Sequence, residues 1–389
     1  MAKIPYGRQD IDQADVDAVV EVLRSDFLTQ GPAVPRFEQA VADYCGAHHA
    51  VAVNSATSAL HIACLALGVG QGDVVWTTPS TFVASANCAL YCGATVDFVD
   101  IDPRTCNLSV DRLAEKLEQA KKSGRLPKVV IPVHLCGQPC EMAAIHALSR
   151  QYGFKIIEDA AHAIGARYKD EPVGRCTYSD ITVFSFHPVK IITTGEGGMA
   201  LTNDAQLAER LRLLRSHGIT SDPAEMHARS PHELWNYQQI GLGFNYRMTD
   251  VLAALGTSQM KRIDEFVAKR HSIAKRYDRM LSDLPVTTPA QLPDGYSSFH
   301  LYVVRLKLGE VKRTHRQVYD SLRAAGILVN LHYIPVYRQP YYEQMGFKAG
   351  YCPEAERYHR EVISLPMYPA LSEAEQDQVV AALSRAIES

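Results

Sequence analysis

The sequence predicts an α/β protein: a mostly parallel central sheet flanked by helices, followed by a smaller C-terminal α+β unit. Three observations carry this. Short apolar strand patterns alternate with helical patterns through the first two-thirds of the 389 residues. Several of those strands run into small polar residues that open a helix. From Pro285 onward the pattern changes. Length points to two or three domain-sized units at roughly 150 residues each. The division expected is a large unit over 1–255 and a small one over 256–389.

Composition is that of a soluble globular chain with a sizeable core, 47% hydrophobic and 21% charged. A formal charge of −3 gives no electrostatic reason to expect nucleic acid or an acidic membrane. No apolar run reaches the ~18 residues of a membrane span. The stretch Met1 to Tyr6 lacks a signal-peptide core, so a cytoplasmic protein is expected. The nine cysteines are scattered and no two pairs have zinc spacing. They read as reduced structural thiols, with no metal site.

Taken in order, residues 12–24 form an amphipathic helix, capped by Asp12 with Val16, Val19, Val20 and Leu23 on its apolar face. A polar loop to Pro32 and a helix over 36–45 follow. The strand 49–53 turns through Asn54-Ser55-Ala56-Thr57 into a helix. Such a turn holds a phosphate on backbone N–H groups and hydroxyls, or is an ordinary cap on a buried helix. The strand 74–77 leads to Phe82, at a strand end where open α/β sheets bind ligands. There it stacks on a cofactor ring or fills core. After a strand at 96–99, Asp100 and Asp102 read as solvated or capping. A helix over 109–122, a strand at 129–133 and a helix ending near 152 come next. The strand 154–157 leaves the sheet through Glu158-Asp159-Ala160-Ala161-His162. Asp159 either pairs with a cationic ring nitrogen or caps a turn, and His162 either touches the same ring or is a turn histidine.

After a hairpin region over 165–180 comes the stretch that organises the chain. An apolar run, 181–184, enters Ser185-Phe186-His187-Pro188-Val189-Lys190, and Gly195-Glu196-Gly197-Gly198 returns to a second apolar run. This is strand, tight turn, strand. The glycines admit positive φ and close approach to a ligand. A lysine desolvated there becomes a nucleophilic amine, suited to a Schiff base with an aldehyde cofactor, pyridoxal phosphate. Beyond it lie a helix over 204–216, a polar loop over 219–240 expected to be mobile above the site, and one helical run from Thr249 to about 281. Residues 299–306 read as a strand, 314–325 as a helix, 327–331 as a strand, and His332-Tyr333-Ile334-Pro335 opens an aromatic loop. Helices near 354–361 and 372–387 close the chain, the last with a Ser372/Glu375 capping box.

Asn54-Ser55-Ala56-Thr57, Thr81-Phe82, Glu158 to His162, Ser185 to Lys190 with its Gly-Glu-Gly-Gly tail, and Gly243-Phe244-Asn245-Tyr246-Arg247-Met248 occur in one order. Together they closely resemble the DegT/DnrJ/EryC1/StrS sugar aminotransferases, pyridoxal-phosphate enzymes of fold type I, over essentially the whole chain. The resemblance implies that Lys190 forms the covalent link to the cofactor and that Asp159 holds its ring nitrogen protonated. It implies that Phe82 stacks on the ring, with His162 (glutamine in many members) beside it. Ala56, Thr57 and Ser185 would hold the phosphate, joined by Asn245 from a neighbouring subunit of a homodimer with shared sites. Tyr6, Leu28-Thr29-Gln30-Gly31 and His332 to Pro335 are similar to the branch that makes a pseudaminic acid precursor. In that branch these residues, with Ser55, would contact the nucleotide sugar. The reaction implied moves an amino group from L-glutamate to C4 of a UDP-linked 4-keto-6-deoxy-N-acetylhexosamine. A dTDP-sugar or a UDP-4-keto-pentose is the alternative acceptor. Sugar dehydratases within the family tend to replace the lysine with histidine, and Lys190 counts against that reading. The complete set Lys190, Asp159 and Ser185 counts against a non-catalytic scaffold.

Overall fold

A computed structural model describes residues 3–227 and 237–388. Its central sheet has seven strands: β1 His49–Val53, β2 Val74–Thr77, β3 Thr95–Phe98, β4 Val129–Ile131, β5 Lys155–Asp159, β6 Ile181–Ser185 and β7 Gly198–Thr202. Their spatial order is β1-β7-β6-β5-β4-β2-β3. β7 runs antiparallel to both neighbours and every other pair is parallel. The expected class is therefore observed.

Alternation along the strands feeds two cores. Val51 and Val53 of β1, with Val183 and Ala200, face one apolar cluster. Ala50 and Ala52, with Phe184, Met199 and Leu201, face the other. This is the period of two expected of a sheet covered on both faces. The helices Ala56–Ala66 and Ala205–Arg215 are capped by the Ser55 and Asp204 side chains.

The C-terminal part builds a three-stranded antiparallel sheet from Val286–Thr287, Tyr302–Leu306 and Val362–Leu365. Helices His315–Ala324 and Glu373–Glu388 share its core through Val318, Leu322, Val379 and Leu383. The short strand Ile4–Pro5 pairs in parallel with Ile327–Leu328, so this N-terminal strand joins this part.

Three expectations change. The helix Gln13–Leu23 is capped by Asp12 as read, yet it buries Asp15 and Val22, leaving Val16 45% and Leu23 55% exposed. Its inward face is polar because Arg262 sits there, 2.6 Å from Asp15, 3.0 Å from Asp10 and 3.2 Å from Asp12. The single helical run to 281 is two helices, Asp250–Met260 and Ile263–Met280, and the turn between them delivers Arg262 to those aspartates. The strand Val362–Leu365 follows the helix Pro353–Glu361 with no turn residue between, so no breaker marks it. In the polar loop, Ile219–Thr220 pairs with Gln238–Gln239, and 228–236 lie outside the described residues. Among the described residues no helix is long and apolar enough to cross a membrane.

Candidate active site

A cavity of about 660 Å³ opens at the C-terminal ends of β1, β2, β5 and β6. Strand ends are where a parallel sheet leaves side chains and helix N-termini unpaired by sheet contacts. Its lining includes Ser55, Ala56, Thr57, Phe82, Asp159, His162, Ser185 and Lys190 from the sheet side. Tyr6, His300, Asn330, His332, Tyr333 and Ile334 close it from the C-terminal part. Motifs spread over some 330 positions of sequence thus meet around one space.

Lys190 sits on a turn braced from within. Thr194 N–H and Thr193 Oγ1 both donate to the Phe186 carbonyl at 3.0 Å, and Lys190 N–H donates to that of His187 at 2.9 Å. Gly195 takes the positive φ anticipated there, 85°. Gly198 serves differently: a Cβ on it would lie 2.5 Å from the Ala56 nitrogen and the Ser55 carbonyl carbon. It lets β7 pass against the protein's own helix start rather than against a ligand. Burial lowers the Lys190 ammonium from its ordinary 10.5 to about 8, against the opposing pull of Asp159.

Asp159 is buried at the end of β5. Ser85 Oγ donates to its Oδ2 at 2.6 Å and Ala161 N–H to its Oδ1 at 3.1 Å. Thr81 Oγ1 lies 2.7 Å from Ser85 Oγ. Strand alternation sends the adjacent acid elsewhere: Glu158 Oε2 lies 2.7 Å from His134 Nε2, and Thr182 Oγ1 donates to its Oε1 at 3.1 Å. Asp159 alone of the two lines the cavity.

The helix Ala56–Ala66 directs its first turn at the cavity. Ser55 lines the cavity too, but its hydroxyl is committed to the cap, accepting from Ser58 N–H at 3.1 Å. Phe82 is 59% exposed, an apolar ring at the cavity wall. Four histidines line the space: His162, His187, His300 and His332. Burial, with the Lys190 charge nearby, pushes His332 down to about 3 and holds His162 and His300 far below the usual imidazole range. These three stay neutral around the lysine.

Leu28, Thr29, Gln30, Gly31, Asn245 and Pro335 do not line this chain's cavity. Thr29 bridges to Thr249. The Asp250 carboxylate accepts from Gly31 N–H at 2.6 Å and from Val34 N–H at 3.0 Å. Asn245 is exposed and bridges to Ser216. Reading the sequence missed Ser85, His300 and Asn330. Ser85 had a signal, since it follows Thr81 by four residues, one helical turn, just after the strand-end aromatic. For His300 there was none, because it arrives from the far side of the fold.

The DegT/DnrJ/EryC1/StrS aminotransferase family model matches residues 9–384. The chain belongs to this family. It is 38% identical over 370 residues to a UDP-4-amino-4,6-dideoxy-N-acetyl-beta-L-altrosamine transaminase from Campylobacter jejuni, covering 95% of this chain and 93% of that relative. It is also 38% identical over 390 residues to GDP-perosamine synthase from Caulobacter vibrioides, covering 100% and 99%. The structure of Helicobacter pylori PseC, an aminotransferase involved in the biosynthesis of pseudoaminic acid, superposes with a TM-score of 0.89 at 31% identity, covering 99% of each chain. The protein is accordingly a sugar aminotransferase of fold type I, dependent on pyridoxal phosphate.

The cavity fits that cofactor by its own chemistry. It offers an amine of lowered basicity, a buried carboxylate, an exposed aromatic face, and a helix start beside Ser185 suited to an anion. One consequence is measurable without substrate. Only the unprotonated amine attacks an aldehyde. Uptake of pyridoxal phosphate by the cofactor-free protein, read by visible absorbance, is expected to quicken ~tenfold per pH unit below about pH 7 and to level off near 8. A rate still climbing towards pH 10.5 contradicts the lowered ammonium.

Proposed function

We propose that this enzyme moves an amino group from L-glutamate to C4 of a UDP-linked 4-keto-6-deoxy-N-acetylhexosamine, as in making a pseudaminic acid precursor. The observation that carries the reading is the joining of Lys190 and Asp159 in one cavity with Tyr6 and the His332–Tyr333–Ile334 loop. Bound pyridoxal phosphate supplies the carbonyl and electron-withdrawing ring on which the amino group is exchanged. Lys190 holds the cofactor covalently at rest, and once displaced carries the proton as base and then acid. Asp159 keeps the ring nitrogen protonated, and Ser85 keeps Asp159 aimed. Phe82 stacks on the ring and His162 lies beside it. Ala56, Thr57 and Ser185 hold the phosphate. Tyr6, Leu28 to Gly31, Ser55 and His332 to Pro335 contact the nucleotide sugar.

The same reading includes a cytoplasmic homodimer with shared sites, and a large cofactor-binding unit, 1–255, beside a smaller one, 256–389. Two features support the dimer. Ile11, Val16, Leu23, Phe27 and Leu28 leave apolar side chains exposed along the N-terminal segment. Lys190 is also the only lysine or arginine lining the cavity among the described residues, whereas a diphosphate and a donor carboxylate call for cations. A neighbouring subunit bringing Asn245 would bring others.

A second reading, an acceptor on another nucleotide, is favoured by the equal identity to GDP-perosamine synthase. Purified holoenzyme is expected to be yellow, to bleach with glutamate, and to recover its colour fastest with the UDP-linked keto-hexosamine among a panel of UDP-, GDP- and dTDP-linked 4-keto sugars. Fastest recovery with a GDP-linked sugar selects the second reading, and no bleaching by glutamate refutes the donor.

A further inference from the structure

We propose that Tyr333 donates the hydrogen bond that holds the carbonyl oxygen of the keto-sugar substrate, and that His162 is the positioning residue that aims it. This rests on the aminotransferase reading above. The argument starts from a tautomer. His162 Nδ1 accepts the Cys136 backbone N–H at 3.2 Å, so Nδ1 carries no proton. A neutral imidazole then has its one proton on Nε2, and Nε2 lies 3.2 Å from the Tyr333 hydroxyl oxygen. The ring cannot tip away: it packs at 4.4 Å against His300 and stacks at 6.2 Å with Tyr333, 25° from parallel.

The Tyr333 oxygen is therefore an acceptor towards His162, and its own proton must point elsewhere. No other described residue takes that proton, and the hydroxyl's residue lines the cavity with Lys190 and Phe82. Burial, reinforced by the nearby Asp159 carboxylate, keeps the phenol protonated. The result is a neutral O–H donor of fixed direction at the wall of the cavity that holds Lys190. A carboxylate or phosphate is matched best by a cation. A ketone oxygen, which gains negative charge as an amine adds to its carbon, is matched by an oriented neutral donor. Of the two substrates only the acceptor sugar brings a ketone to be aminated.

The test separates the two halves of the reaction in holoenzyme by stopped-flow absorbance. With Tyr333→Phe, the half-reaction with glutamate is expected to stay within about threefold of the parent, and that with a UDP-linked 4-keto-6-deoxy-N-acetylhexosamine to slow about 100-fold. His162→Leu, which also removes a neighbour of the cofactor ring, should slow the sugar half at least ~tenfold more than the glutamate half. His162→Gln should recover most of the loss, because its amide oxygen accepts from Cys136 and its NH₂ donates to Tyr333. Equal slowing of both halves, an unslowed sugar half, or a glutamine variant no better than leucine overturns the proposal. A parent enzyme that does not react with glutamate overturns the choice of glutamate as donor in the reading above, whatever the variants do.

Discussion

Lys190→Ala is expected to lower turnover at least ~10⁴-fold while the fold persists, with Lys190→Arg equally inactive. In the proposed mechanism one amine both holds the cofactor and carries the proton, and neither alanine nor guanidinium does either. Stability should not fall with activity. An amine at about 8 in the folded protein and 10.5 in the unfolded chain leaves the unfolded state with more bound protons between those values. This group's contribution to stability therefore rises with pH through that window, and below about 8 the fold carries the whole cost of a desolvated ammonium. Without cofactor, at neutral pH, the alanine variant should melt no lower than the parent. Retained turnover with glutamate and keto sugar refutes the role, and a melting point lower by ten degrees or more refutes the account of the site.

The second large effect is expected at Asp159. Asp159→Asn should slow the half-reaction with glutamate ~10³-fold while cofactor still binds. Asparagine keeps a carbonyl to accept from Ala161 N–H, so the local turn survives. It loses the negative charge that steadies a protonated ring nitrogen, and its amide has nothing to accept with where Ser85 Oγ now donates at 2.6 Å. Single-turnover rates and the absorbance of bound cofactor read the two consequences separately. A loss below tenfold leaves Asp159 as a structural residue only.

Much of this arrangement was legible in the residues. The strands read at 49–53 and 74–77 coincide with β1 and β2, and the Asp12 cap and the Ser372/Glu375 capping box form as read. These are local signals, and local chemistry decides them. What failed depended on partners distant in sequence. Val16 and Leu23 of Gln13–Leu23 are exposed in this chain because the inward face answers to Arg262, some 250 positions away. Within the cavity, strand ends announced Asp159, Ser185 and Lys190. The C-terminal wall was nameable only through resemblance, and His300 not at all. Its place depends on the backbone turn at Ser298–Phe299, where Gly137 lies so close that a Cβ would meet Phe299 nitrogen at 3.0 Å.

The bond from Val34 to Asp250 has a bearing on how the chain comes into being. The helix Ala33–Cys45 begins after Pro32 with no side-chain cap of its own, and the carboxylate that satisfies its first turn arrives 216 residues later. At a synthesis rate of roughly 5–20 residues per second, that delay is about ten to forty seconds on the ribosome. For that interval the emerging N-terminal segment must wait with its helix start open to water. Its final docking follows that of its nearer neighbours, set by the arrival of a residue 216 positions further along the chain.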